Sequence, residues 1–155
     1  MDSLDSEDMV ELFSADHNIR SKFKGVYAVD EIPSLKSDSL VVVNLDPADM
    51  PGSHWVVIFN KKGSVIEYFD SRGVKPAKSI AEYLLAYKNK ECIFSTRRLQ
   101  QYQTNSCGLF CLYYSFYASR NCSLYNIVSN FHNNLNINEY IVARFAKHYS
   151  QMYNI

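Results

Sequence analysis

Charge of one sign is what this chain lacks first: 16 lysines and arginines balance 16 aspartates and glutamates, for a formal net charge of +0. A protein that wraps nucleic acid on electrostatics alone needs a basic surplus, so that class is disfavoured, although a local basic strip is not. Long hydrophobic runs are missing too, and none approaches the roughly 20 residues that span a bilayer. The start, Met1-Asp2-Ser3-Leu4-Asp5-Ser6-Glu7-Asp8, is acidic, whereas a secretory leader is basic and then apolar. The expectation is a protein of a reducing compartment, neither secreted nor in a membrane. Cysteine is scarce: Cys92, Cys107, Cys111 and Cys122 lie in the second half and do not form a disulfide framework for 155 residues. Apolar residues follow Cys107 and Cys111, and His132 stands far off without paired short spacings, so no metal module is read. No cofactor is implied. Repeats, linkers and low-complexity segments are absent, and the length suits one domain over 1–155.

What is there is a thiol, an imidazole and a carboxylate in three distant segments. Gly52-Ser53-His54-Trp55 carries the imidazole, Tyr68-Phe69-Asp70-Ser71 the carboxylate, and Asn105-Ser106-Cys107-Gly108-Leu109-Phe110-Cys111 the thiol. Nucleophilic cysteine catalysis needs a thiolate to attack, a base to take its proton and an acid group to orient the base. The first reading is a cysteine hydrolase.

The elements that would carry these groups follow from patterning. Ser6 is expected to cap a short helix through Met9, Val10, Leu12 and Phe13. From Phe23 to Pro33 the pattern is irregular. Leu40 to Leu45 is a β-branched run that reads as a buried strand, ended by the loop Asp46 to Gly52. Trp55 to Phe59 and Val65 to Phe69 read as two strands joined through Asn60 to Ser64. With the turn centred on Lys62, partner numbers sum to about 124, which sets His54 opposite Asp70. Directly opposed Cβ atoms lie about 5 Å apart, close enough for a shared hydrogen bond. Glu67, an odd number of positions from Asp70, should point to the other face.

Pro76 can start a helix with Ile80, Tyr83, Leu84 and Tyr87 on its apolar face, and Cys92 to Ser95 is a fourth strand candidate. Cys107 to Ala118 is apolar almost all round, a helix for the core, with Cys107 in the first turn where free N–H groups and the helix dipole favour a thiolate. Ser123 and Asn138 are expected to cap two further helices, through Ile127, Val128 and Phe131 and through Ile141, Val142, Phe145 and Tyr149. The fold class is α+β: a small mixed or antiparallel sheet packed against a central buried helix that carries the nucleophile at its N-terminus.

Taken singly, each residue has a plainer use. A cysteine before an apolar helix is commonly a small buried hydrophobe, Trp55 a core aromatic, and Asp70 the start of a turn with Ser71, Arg72 and Gly73. Gly108 leaves the thiol uncovered and permits close approach of substrate; Trp55 would wall the imidazole from water. Cys111 reads as core. His17 and His148 read as surface residues and His132 as a cap or loop residue. An oxyanion also needs a donor besides the Cys107 N–H, and Gln100, Gln101 and Gln103 all qualify by chemistry.

The order His-Trp, Asp-Ser, Gln, Cys-Gly resembles the adenovirus protease, adenain, and its relatives, including the Ulp1-type SUMO proteases. The likeness takes in Phe23-Lys24-Gly25-Val26-Tyr27, Val42-Val43-Asn44, Gly52-Ser53-His54-Trp55, Leu99-Gln100 and Cys107-Gly108-Leu109-Phe110-Cys111. Phe69-Asp70-Ser71-x-Gly73 is similar to the form found in proteases of Maverick or Polinton elements and adintoviruses. The resemblance implies a triad of Cys107, His54 and Asp70, with Gln100, seven residues before Cys107, at the oxyanion; the SUMO proteases' spacing would select Gln101. It implies a cysteine endopeptidase that cleaves virion or capsid precursors after small residues, at Gly-x-Gly-like sites, through a thioester. A monomer located in the virion and in the host-cell nucleus or cytoplasm is expected, with protein substrates as partners and an activating peptide or DNA as a candidate partner. Lys61, Lys62, Lys75, Lys78, Lys88, Lys90, Arg97 and Arg98 read as a solvated face rather than a DNA track. Two competing functions share the pattern: an isopeptidase that removes ubiquitin or a ubiquitin-like modifier, and a catalytically silent domain that binds a glycine-rich tail.

Overall fold

The structure is a computed structural model that describes residues 3–46 and 54–155. The sheet grows from β-branched runs that are buried on both faces. Strands β1 (Phe23–Ala28), β2 (Ser39–Asn44), β3 (Trp55–Asn60), β4 (Val65–Phe69) and β5 (Glu91–Phe94) lie in the order β1-β2-β3-β4-β5. The pairs β1–β2 and β4–β5 are parallel, while β2–β3 and β3–β4 are antiparallel. Every residue of β2 and β3 is buried, as expected of strands covered on both sides.

One face of the sheet, with Leu40, Val42, Val57, Phe59 and Phe69, packs on α4 (Cys107–Ala118), whose buried side chains include Phe110, Cys111, Leu112 and Tyr114. Helices α1 (Ser6–Ala15), α2 (His17–Arg20), α5 (Leu124–Ser129) and α6 (Leu135–Tyr153) close round α4. The opposite face, with Val41, Val43, Val56, Ile58, Ile66 and Tyr68, is covered by Ile80 and Leu84 of α3 (Lys78–Leu85) and by Leu35. The mixed α+β architecture around a buried central helix is as expected, with one addition: a helix on the far side of the sheet. Among the described residues no helix is long and apolar enough to cross a membrane.

Several local expectations are corrected. Asp5, not Ser6, caps α1, because its carboxylate accepts from Asp8 N (2.8 Å) while Asp8 returns the bond to Asp5 N (3.0 Å). Asn134 caps α6, and Asn138 sits buried inside that helix, where its amide binds His132 N, His132 O and Leu99 O. The irregular stretch contains β1, whose register shifts between Phe23 and Val26 and so breaks the alternation that marks a strand. Tyr87 lies beyond the end of α3 but still packs on that face, its hydroxyl accepting from Leu35 N at 2.7 Å. The loop from 47 to 53, with Gly52 and Ser53 of the histidine segment, lies outside the described residues.

The β3–β4 register also differs. Val57 pairs with Phe69 and Ile58 with Tyr68, two residues from the expected alignment, because the reversal centres on Gly63, at φ +88°, rather than on Lys62. A slip of two preserves which face each side chain takes, so the hairpin still delivers His54 and Asp70 to one end of the sheet.

A buried carboxylate ties the helical layer together. Asp16 caps α2 through Ile19 N (3.0 Å), accepts from Arg120 Nη2 (2.7 Å) and Nη1 (3.1 Å) beyond α4, and accepts from Tyr153 Oη (2.6 Å) of α6. Burial pushes its pKa up, but the Arg120 and Tyr153 bonds outweigh this and hold it at about 2. A depressed carboxylate stabilises the fold above its unfolded pKa, and that contribution is lost as pH falls toward about 2. Asp16→Asn is expected to cost about 2–3 kcal/mol at pH 7 in urea unfolding, with the gap to the unsubstituted protein narrowing below about pH 4. A gap independent of pH would contradict this account.

Candidate active site

Cys107 stands in the first turn of α4, 5% exposed, where the helix leaves the polar stretch before it. The same turn lies against the start of β3. His54, 3% exposed, immediately precedes that strand, and its Nε2 meets Asp70 Oδ1 at 2.7 Å. Nδ1 is buried and has no hydrogen-bond partner among the described residues, which leaves it the nitrogen available to a proton from the thiol. Asp70 follows β4 directly. Its Oδ1 also accepts from Arg72 N at 2.9 Å, and its carbonyl accepts from Gly73 N at 2.9 Å, so the carboxylate is held by the turn it begins.

The protonation states respond to this packing. Burial pushes the His54 pKa down, but the Asp70 hydrogen bond and the contacts with Cys107 reverse that and raise it. Burial pushes Cys107 up; the adjacent His54 imidazole, the Trp55 backbone N–H, the imidazolium charge and the nearby Arg72 charge together lower it. The arrangement favours a thiolate–imidazolium pair. Cys111, fully buried, is pushed far above the ordinary thiol range; its Sγ donates to Trp55 O at 3.3 Å and serves the core, as its pattern suggested.

Of the three glutamines, Gln100 is the one wholly buried beside the Asp70 turn. Its Oε1 accepts from Ser71 Oγ at 2.7 Å, and its Nε2 donates to Thr104 O at 3.0 Å and to Thr104 Oγ1 at 3.1 Å. Gln101 turns instead to α6, with its N–H on Glu139 Oε2 (3.0 Å) and its side chain on Asn136 Oδ1. Gln103 is exposed. Glu67 points away from the site and accepts from Tyr114 Oη and Leu124 N.

Trp55 is 7% exposed, and its Nε1 donates to Leu4 O at 3.0 Å. The approach that Gly108 permits is made by the chain itself: a Cβ there would lie 2.9 Å from Leu4 Cδ1 and 3.1 Å from Met9 Sδ. The N-terminal segment thus touches both the tryptophan beside the histidine and the glycine beside the thiol. Sequence reasoning did not single out Leu4, Ser71 as a partner of Gln100, Arg72 or Thr104. Ser71 alone had a signal, its place next to Asp70. His17 and His132 serve local contacts, with Arg20 and with Asn134 N. Among the described residues no three His, Cys, Asp or Glu side chains form a group that could hold a metal ion.

No protein-family model and no curated protein sequence matches the chain. Its fold is similar to that of the ASFV pS273R protease, at 18% identity over 80% of this chain and 60% of that one, with a TM-score of 0.56. It is also similar to the central domain of the Legionella pneumophila Lpg1148 protein, at 15% identity over 96% and 99% of the two chains, with a TM-score of 0.50. SUMO protease Ulp1 aligns at 18% identity over 66% of this chain and 50% of that one, with a TM-score of 0.39. The chain therefore spans about 60% of the pS273R protease and shares its fold.

A thiol with a lowered pKa leaves thiolate present where an ordinary thiol, near 8.5, is still protonated. Alkylation of Cys107 is expected to be fast at neutral pH, to fall only as acid protonates the sulfur, and to shift its inflection upward in His54→Ala, while Cys111 stays unmodified. Peptide mapping at each pH reads both, and an identical profile in the variant would sink the couple. A second expectation concerns Gly73, at φ +69°, where a Cβ would lie 2.5 Å from the Arg97 carbonyl carbon and 2.6 Å from Arg98 N. Gly73→Ala should cost about 2 kcal/mol or more in thermal or urea unfolding; unchanged stability would mean the two backbones part freely.

Proposed function

We propose that the chain is one cysteine endopeptidase domain that cleaves virion or capsid precursor proteins after small residues, at Gly-x-Gly-like sites. The observation that carries the reading is the 2.7 Å bond from the buried His54 to Asp70, with Cys107 and His54 shifted toward opposite charges. The fold shared with the ASFV pS273R protease supports it.

In this reading His54 Nδ1 takes the Cys107 proton and the thiolate attacks the substrate carbonyl carbon. The carbonyl electron pair moves to oxygen, where the Cys107 N–H and Gln100 Nε2 donate to it. Collapse breaks the C–N bond, the imidazolium proton goes to the leaving amine, and a thioester remains. Water, deprotonated by His54, attacks the thioester; the C–S bond breaks and the proton returns to sulfur. Asp70 holds the imidazole through both halves of the cycle. Trp55 walls the imidazole, and Gly108 keeps the nucleophile's turn free of a side chain. The enzyme acts as a monomer, in the virion and the host-cell nucleus or cytoplasm, with an activating peptide or DNA as a candidate partner.

Fluorogenic Gly-x-Gly peptides and ubiquitin or SUMO fluorophore conjugates, offered side by side, test the proposal. Peptide cleavage is expected, abolished in Cys107→Ala and reduced about 10²- to 10⁴-fold in Asp70→Asn. Turnover of the modifier conjugates alone would make the chain an isopeptidase. Cleavage that survives Cys107→Ala would remove the cysteine mechanism altogether.

A further inference from the structure

Asp70 and Ser71 are adjacent, and both are buried, at 6% and 0% exposure. Asp70 faces His54. Ser71 faces the other way along the site, toward Gln100, and its contacts determine how that amide is turned. Thr104 O, a backbone carbonyl, can only accept, so the Gln100 atom 3.0 Å from it must be the NH₂ group. The remaining atom is then the carbonyl oxygen, Oε1, and the Ser71 hydroxyl 2.7 Å away must donate to it. Ser71 also holds the backbone, because its carbonyl accepts from Leu99 N (2.9 Å) and Gln100 N (3.0 Å). Neither side chain is exposed, so the bond is shielded from bulk water.

The geometry points to Ser71 as a positioning residue that holds the Gln100 amide in one orientation, Oε1 on the Ser71 hydroxyl and Nε2 on the Thr104 side, so that one two-residue unit, Asp70-Ser71, orients both the base and the proposed oxyanion donor. This rests on the cysteine-hydrolase reading above and assigns Ser71 a task in it. Without the Ser71 hydroxyl, Oε1 loses its donor inside the protein, and the amide is held only by its Nε2 contacts with Thr104.

Two probes of Cys107 separate this role from a structural one. Iodoacetamide is attacked by the thiolate at a saturated carbon, with iodide leaving and no oxyanion formed. p-Nitrophenyl acetate is attacked at its carbonyl: the C–S bond forms, the carbonyl electron pair moves to oxygen, then p-nitrophenolate departs and an acetyl thioester remains. Only the second reaction needs the donor. Ser71→Ala is expected to leave Cys107 alkylation within about twofold of the unsubstituted protein while slowing the ester burst about tenfold or more, against about 10²-fold or more for Gln100→Ala. Because Ser71 acts through Gln100, the double variant should be no slower than Gln100→Ala alone. Should Ser71→Ala fail to fold, Ser71→Cys, a near-isosteric weaker donor, is expected to give an intermediate burst rate. An unchanged burst in a Ser71 variant that alkylates normally, or additive losses in the double variant, would overturn the assignment. A parent protein whose Cys107 alkylates no faster than a free thiol would overturn the cysteine-hydrolase reading instead; one that alkylates fast but shows no ester burst would keep that couple and overturn the role of Gln100 and Ser71.

Discussion

The site depends on one hydrogen bond, from His54 Nε2 to Asp70 Oδ1, because a carboxylate beside a buried imidazole favours its charged form and fixes the ring. Burial lowers the histidine's basicity, and the Asp70 bond, with a smaller contribution from Cys107, raises it again. That bond in turn requires the β3–β4 hairpin, since His54 lies one residue before β3 and Asp70 one residue after β4. The sheet buried on both faces is thus the rigid part that holds His54 and Asp70, and α4 brings Cys107 to it.

The turn after β4 does more than end a strand. Asp70 faces the base, Ser71 holds the Leu99–Gln100 backbone and amide, and Gly73 lets the Arg97–Arg98 backbone pass where no Cβ would fit. Arg97 then carries the register onward, donating to Val128 O at 2.8 Å and Phe131 O at 2.9 Å beyond α5. Four residues thereby connect the sheet, the segment before the nucleophile and the outer helices. Displacing the turn would disturb His54 and Gln100 together.

Much of this was legible before any coordinates. The runs Leu40 to Leu45, Trp55 to Phe59 and Val65 to Phe69 read as strands because β-branched and aromatic residues stop abruptly at turn formers, and Cys107 to Ala118 matches α4 end to end. The pairing of His54 with Asp70 survived a register error because strand geometry repeats every two residues. The errors had local causes. Ser6 and Asp5 are both good caps, and only the returned bond from Asp8 separates them. Asn138 looked like a cap because a buried asparagine inside a helix needs distant partners, here Leu99 and His132, that patterning does not reveal. Choosing among the glutamines needed tertiary contacts, since Gln101 finds its partners on α6. Leu4 was invisible for a different reason: it meets Trp55 through its carbonyl, which every residue has.

Cys107 and Cys111 show what the surroundings add to burial. They lie one turn apart on the same apolar helix, both under 6% exposed, and desolvation pushes both thiols up. Only Cys107 has an imidazole, a backbone N–H and an arginine charge to outweigh it; Cys111 has the thiolate of Cys107 and the Asp70 carboxylate, which push the same way as burial. The helix dipole favours the first-turn position, but its effect fades within that turn and is modest beside these contacts. A cysteine at the start of a buried helix is therefore not reactive by placement alone. Both sulfurs reach the start of β3, but Cys107 meets His54 and the Trp55 N–H there, whereas Cys111 meets the Trp55 carbonyl, and that difference exists only because the helix and the hairpin pack in one register.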